Sequence, residues 1–409
     1  MKILVLAGGY DQIALINELK LKGHEVYLAD YLDNPPAKKH VIKHFQVSTL
    51  DEMAILDLVK KEKFDLVTTA CTDQALLTVA SVSEKLGLPC YISSETARNV
   101  TNKAYMKKIF SDNGIPTADY HIYENINEIS SVAEKDWEYP LIVKPCDCNS
   151  SKGVQKVKNK DELFNAADFA FGLSRNHKVI IESYKEGIEV SVDVWKDNED
   201  VKILSVSKTS KVKENEDGFL IYQSSYPVAL SEVLKRKIYD IAKRIYNAFD
   251  LDNCPVLIQA IINQNEIFVL EFSARMGGGS KYKFMEYMSG INIMHIFTNR
   301  ILGDTAQILK PKISSKNIEL DYVYAYNGIF DKIIGADELI DAGKIKEFFQ
   351  YKVSGSKIEK MSASGDRVFG FLLEADSTEE LYKVRNEVVN NLDILDENGH
   401  SIMFKKCFE

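Results

Sequence analysis

Val256-Leu257-Ile258-Gln259-Ala260-Ile261 and Ile267-Phe268-Val269-Leu270-Glu271-Phe272-Ser273-Ala274-Arg275 are two apolar runs, each broken by groups that do not belong in a core. Side chains alternate along a strand, so Glu271, Ser273 and Arg275 fall on one face. Charge does not enter a protein interior without a partner. An acid, a hydroxyl and a guanidinium on one face therefore point to a binding cleft. Oxygen ligands suit Mg²⁺, and arginine suits a phosphate bridging to it. Gln259 and Glu271 share a face only if the turn near Gln264-Asn265 has three residues or the ladder carries a bulge; a tight two-residue turn alone separates them. The next residues, Met276-Gly277-Gly278-Gly279-Ser280-Lys281, allow close backbone approach, and beside Arg275 they read as an anion-binding loop.

Upstream, Tyr139-Pro140-Leu141-Ile142-Val143-Lys144-Pro145 carries a lysine inside a short apolar strand. Such a lysine either snorkels to water or faces an anion. The loop after it, Cys146 to Val154, is small and polar and contains Ser150, Ser151 and Gly153. It suits phosphate oxygens but lacks the Walker spacing. Val179-Ile180-Ile181-Glu182-Ser183-Tyr184 ends an apolar strand on an acid, and Glu189, Ser191 and Asp193 share a face of the strand that follows. A half-solvated strand explains that second pattern equally well.

The first hundred residues have a different rhythm. Strands at 3–6, 25–29 and 65–70 alternate with helices at 12–21, 53–61 and 75–86, which implies a parallel sheet covered on both faces. Gly8-Gly9 with Asp30 imitates a dinucleotide site, but the third glycine of that fingerprint is missing. The better expectation is that Gly9 and Thr72-Asp73-Gln74 present loop ends to a small substrate. Between about 101 and 310, a helix at 103–113 leads into an α+β block, with strands at 141–143, 179–182, 188–195, 201–207, 255–262 and 267–272 and helices at 162–171 and 231–249. A third region closes with a strand at 368–374, a helix at 378–391 and the turn Glu397-Asn398-Gly399.

Composition narrows the function classes. The 409 residues are 45% apolar, enough for two or three cored domains. The 60 acids and 51 bases, net −9, lie along the whole chain. A nucleic-acid partner is not expected, because binding one needs a basic surface. No apolar stretch reaches the roughly 18 residues of a membrane span, and the apolar start stops at Gly8-Gly9 with no cleavage site. A cytoplasmic location is expected. Of the six cysteines, Cys146-x-Cys148 lacks a second pair at zinc spacing and reads as two reduced thiols.

Together these motifs resemble the ATP-grasp superfamily of carboxylate–amine ligases: lysine strand, Ser/Gly loop, Glu-ended linker strand, Gly187-x-Glu189, and the strand Glu271-x-Ser273-x-Arg275, in the family's order. The likeness spans about residues 1–310. It implies an N-terminal Rossmann-like parallel-sheet domain (1–100), a central two-subdomain ATP-grasp domain (101–310, with a flexible subdomain at about 115–187) and a small C-terminal α+β lobe (311–409). It also implies ATP and Mg²⁺ as cofactors, with Mn²⁺ a substitute, and small carboxylate and amine substrates. A homodimer stays open. Carried over by motif, Lys103 (in Thr101-Asn102-Lys103) and Lys144 hold ATP phosphates, while Ser150, Ser151 and Gly153 close over them. Glu182 and Tyr184 cradle adenine, and Glu189 holds the ribose. Gln259, Glu271 and Ser273 hold metal, and Arg275 steadies an acyl phosphate with Gly277, Gly278 and Gly279 near the substrate. Gln259 and Ser273 depart from the commoner acid and asparagine, which leaves Glu271 the single anionic ligand. The glycine loop followed by Tyr282 and Phe284 is most reminiscent of amino-acid ligases. Members similar to purine-pathway ligases or carbamoyl-phosphate synthetase are the alternative, as is a nucleotide-binding protein without ligase activity.

Overall fold

The computed structural model describes residues 1–132, 137–148, 151–197, 200–212, 220–304, 308, 310–359, 361 and 363–408, without the side chains of 130–132. Its N-terminal sheet is parallel and four-stranded, in the order His44–Gln46, Glu25–Asp30, Lys2–Leu6, Leu66–Thr68. The strand period of two sorts its apolar residues to two layers. Ile3 and Val5 pack with Leu15, Ile16 and Leu19 of the helix Asp11–Leu21. Leu4 and Leu6 pack on the other side with Ile55, Val59 and Val79. This is the expected doubly covered sheet.

The second sheet has eight antiparallel strands and forms the body of the molecule. From one edge it runs Glu266–Ser273, Pro255–Asn263, Ile188–Asp197, Asp200–Lys211, Ile221–Tyr226, Asn317–Val323, Phe369–Ala375 and Glu347–Gln350. Val190, Val192, Val194, Val256 and Ile258 turn one face onto the amphipathic helix Glu232–Ala248, through its Ile238, Ile241 and Ile245. The opposite face carries the polar residues of the site. Ile221–Tyr226 pairs directly with Asn317–Val323, so the sheet crosses the division expected at 311 without a break.

Residues 120–183 form a separate four-stranded sheet, in the order Tyr120–Tyr123, Val179–Ser183, Leu141–Pro145, Gln155–Val157, packed on the helix Lys160–Leu173. It sits over the first strands of the large sheet. A further three-stranded sheet (Lys357–Ile358, Gly328–Ile334, Asp393–Asp396) closes the C-terminal region. Among the described residues no helix is long and apolar enough to cross a membrane.

Candidate active site

The register of the first hairpin decides the site. Asn263 pairs with Glu266 across the two-residue turn Gln264–Asn265, where Gln264 adopts φ of 53°. A ladder continued regularly from such a turn would set Glu271 opposite Ile258. Instead the register shifts between Gln259 and Ala260, Leu270 is left unpaired, and Gln259 faces Glu271 directly. The turn is tight and the bulge corrects for it. Two oxygen-bearing side chains therefore stand side by side.

Two cavities meet at this pair. One, about 700 Å³, is lined by Lys103, Lys144, Glu182, Tyr184 and Glu189; the other, about 650 Å³, by Asp11, Asp73, Arg275, the glycine loop, Lys281 and Arg367. Ser151, Thr209, Gln259 and Glu271 line both. A third cavity, of about 710 Å³, between Phe110 and Trp137 holds none of the predicted site residues.

In the first cavity each acid meets a lysine. Asn102 caps the helix Lys103–Asp112 by accepting from Ala104 N, which sets Lys103 on the first turn. Lys103 Nζ lies 2.9 Å from Glu271 Oε2 and donates to Cys148 O at 2.7 Å. Burial pushes the Glu271 carboxyl up, but Lys103 and Lys144 outweigh it and hold the group below its ordinary value. One turn further along that helix, Lys107 is wholly buried and 2.9 Å from Glu182 Oε1, while Lys144 donates to Glu182 Oε2 at 2.9 Å. Burial works against the Glu182 charge. Two ammonium groups on one carboxylate win, and Glu182 falls to about 2. Lys107 shares that single acid, so burial prevails there and takes it down to about 8. Glu189 pairs with Lys211, and Lys156 Nζ sits 3.9 Å above the Tyr184 ring.

The second cavity is assembled from distant parts of the chain. Arg275 Nε donates to Asp73 Oδ1 at 2.9 Å, a second guanidinium nitrogen also donates to Asp73, and Nη1 reaches Met276 O at 2.7 Å. Gln74, beside Asp73, accepts from Arg175 of the smaller four-stranded unit at 2.7 Å. The glycine loop does bind an anion, but the anion is the chain's own. Asp11 accepts from Gly279 N and Ser280 N at 2.8 Å each, and from Ser280 Oγ at 3.1 Å. Gly279, at φ of 70°, has no room for a Cβ, which would run into Arg367. That guanidinium stacks 3.6 Å over the Tyr322 ring, and Tyr322 Oη donates to Gly279 O at 3.0 Å.

The structure thus brings Lys103, Lys144, Ser151, Glu182, Tyr184, Glu189, Gln259 and Glu271 around one cavity, and Arg275, Gly277, Gly278 and Gly279 around its neighbour. Two expectations differ from the structure. Ser273 shares the face of Glu271 but is buried opposite Leu257 and lines neither cavity. Gly153, at φ of 77°, packs on Pro145 and Leu173 rather than on the cavity. Gly279 does line the second cavity, with its N–H donated to Asp11. Ser150 lies outside the described residues. Lys107 was missed, although its place four residues after Lys103 puts both on one helix face. Asp11 and Arg367 carry no local signal.

Among the described residues no cluster of three His, Cys, Asp or Glu side chains could hold a metal alone. Gln259 and Glu271 supply two adjacent oxygen donors beside a lysine-lined cavity. That fits an Mg²⁺ which takes its remaining ligands from phosphate and water.

Residues 101–279 match the family model described as phosphoribosylglycinamide synthetase, ATP-grasp (A) domain. A D-alanine–D-alanine ligase of Thermosipho africanus is 30% identical over 216 residues, 49% of this chain and 56% of that protein. A formate-dependent phosphoribosylglycinamide formyltransferase of Mannheimia succiniciproducens is 25% identical over 251 residues, 60% of this chain and 62% of that protein. The chain thus spans less than two thirds of the length of these curated relatives. The crystal structure of an L-amino acid ligase from Bacillus licheniformis shares the fold over 97% of this chain and 99% of that one, with a TM-score of 0.79 at 22% identity.

Proposed function

We propose that this chain, whose residues 101–279 match an ATP-grasp domain model, is an ATP-grasp, ADP-forming ligase that activates a carboxylate as an acyl phosphate and joins it to an amine. One observation carries this reading. A lysine-lined cavity and an arginine-bearing cavity open onto the same Gln259–Glu271 pair. A phosphoryl group bound on one side is then within reach of a carboxylate bound on the other.

In this reading ATP takes the first cavity. Lys103 and Lys144 turn from Glu271 and Glu182 toward phosphate oxygens, Tyr184 and the linker after Glu182 flank the base, and Glu189 meets the ribose. Gln259 and Glu271 hold one Mg²⁺, which neutralises phosphate charge; Mn²⁺ shares its preference for oxygen and is the ion to try in its place. Ser151 and its loop exclude water. Arg275, fixed by Asp73, offers its fork to the acyl phosphate. The catalysis is positioning and charge neutralisation, with no protein nucleophile.

An amino acid or a similar small molecule is the proposed substrate, on the likeness of the glycine loop with Tyr282 and Phe284 to amino-acid ligases and on the fold shared with the L-amino acid ligase. A purine-pathway-like substrate is the second reading, favoured by the match of residues 101–279 to the glycinamide synthetase model. A cytoplasmic location and assembly as a homodimer belong to this proposal; light scattering reads the latter. The test is a screen of ADP release over pairs of amino acids and small carboxylates, with hydroxylamine added to trap acyl phosphate. ADP and a hydroxamate together are the expected result. ADP without hydroxamate from an active enzyme would instead mean direct phosphotransfer to another acceptor.

A further inference from the structure

An amine reaches neutral water as an ammonium ion, and it cannot attack carbon until it loses a proton. The cavity beside Arg275 offers few groups to take that proton. None of its lining residues is a histidine. Its three carboxylates are engaged: Asp11 by Gly279 and Ser280, Asp73 by Arg275, and Glu271 by Lys103. Burial raises Cys71, Tyr322 and Tyr351, so they hold their own protons.

Lys281 is different. It is the first residue of the helix Lys281–Ser289, it is 6% exposed, and it lines the cavity. Its Nζ donates to Ser207 Oγ at 2.8 Å, and among the described residues no carboxylate lies within 4.0 Å of it. Its stem runs directly under Gly277, where a Cβ would come within 3.0 Å of Lys281 Cβ and Cγ. The glycine loop thus packs directly on the Lys281 stem.

We propose that Lys281 is the catalytic proton acceptor for the attacking amine, an inference that rests on the ligase reading above. Lys281 Nζ, in its neutral form, takes one proton from the substrate ammonium. The freed lone pair forms the C–N bond to the acyl carbon as the bond from that carbon to the phosphate oxygen breaks. The second nitrogen proton leaves with inorganic phosphate, and Lys281 returns its own to water. The electrostatics agree with the placement. Burial drives the Lys281 ammonium down, Asp193 resists, Arg367 adds to the fall and Glu189 opposes it, leaving the group at about 8. The other lining lysine held low, Lys352, is half-exposed on the C-terminal region and donates to Gly365 O.

Hydroxylamine is uncharged at neutral pH and needs no such base, so it separates this step from acyl phosphate formation. The full chain is supplied with ATP, Mg²⁺ and an equimolar mixture of the twenty protein amino acids, with and without hydroxylamine. Hydroxamate is read by colour and amide products by mass spectrometry. In Lys281→Met, amide formation at pH 7 should fall by about 100-fold or more while hydroxamate formation stays within about threefold. Lys281→Arg keeps length and charge but cannot give up its proton, and it should show the same split. In the unsubstituted protein, amide formation should rise with pH and level off near about 8; in the variants it should keep climbing as water takes over. An equal fall of both products would make Lys281 structural and overturn the proposal, as would the same split arising from Lys352→Met instead. An unsubstituted protein that makes neither hydroxamate nor amide overturns the ligase reading itself, and this inference with it.

Discussion

The two cavities that meet at Gln259 and Glu271 are held together in different ways. On the lysine side each acid is answered inside the central block: Glu271 by Lys103, Glu182 by Lys107 and Lys144, Glu189 by Lys211. Those four lysines face three carboxylates before any ligand arrives, and an anion enters by exchange for a carboxylate. On the arginine side the links run between regions: Asp73 to Arg275, Asp11 to the glycine loop, and Tyr322 of the C-terminal region back to Gly279. The first cavity is a property of one domain, and the second exists only while three regions stay docked. A chain can therefore change its substrate through its first and last hundred residues and leave the nucleotide wall untouched.

That contrast can be broken by substitution. The largest effect belongs to the shared wall. Glu271→Ala removes a group that faces both cavities and should cut ADP release by about 10³-fold; turnover near the unsubstituted level would remove Glu271 from the metal site. Next comes Glu182→Ala. It strands Lys107 and Lys144 in a dry wall and should cost about 3–5 kcal/mol, read as a lower midpoint in urea. Asp11→Ala, on the other side, should cost less, and the reverse order would undo the comparison. Asp73→Asn should lower product formation by about 10²-fold at an unchanged KM for ATP, because Arg275 loses its ionic partner while the lysine wall is intact. A shift in nucleotide affinity would show that the two sides are not separable.

The smallest effect is in acid. Glu182 sits at about 2 in the folded protein, below the ordinary glutamate value of about 4.3. A carboxylate so depressed contributes stability that is present above its unfolded value and lost as pH falls through its folded one. Melting temperature should therefore drop between about pH 4 and pH 2, and Glu182→Gln should flatten that limb.

How much of this was legible follows from distance along the chain. The N-terminal rhythm is local, so its parallel sheet was predictable from period alone. Lys144, Glu182 and Glu271 announced themselves as charges inside apolar strands, while Lys103, Tyr184 and Glu189 came from the family likeness; all six line one cavity. Whether Gln259 faces Glu271 hung on a bulge at Leu270, which no residue type specifies. Asp11 and Gly279 are 268 residues apart, and Asp73 and Arg275 are 202 apart; no spacing rule connects such pairs. The glycine loop was seen as an anion cradle, but its occupant, Asp11, sits at the far end of the sequence and could not be named. The strands Ile221–Tyr226 and Asn317–Val323 were not foreseen, and with them went the continuity of the large sheet.

That continuity bears on how the molecule can be dissected. A chain cut at 311 would leave the strand Ile221–Tyr226 with a bare row of N–H and C=O groups where Asn317–Val323 had paired. Exposed edges of this kind recruit other chains. The piece from 1 to 310 would be expected to aggregate rather than act as a free-standing nucleotide module. The C-terminal hundred residues serve the rest of the molecule as its solubility seal.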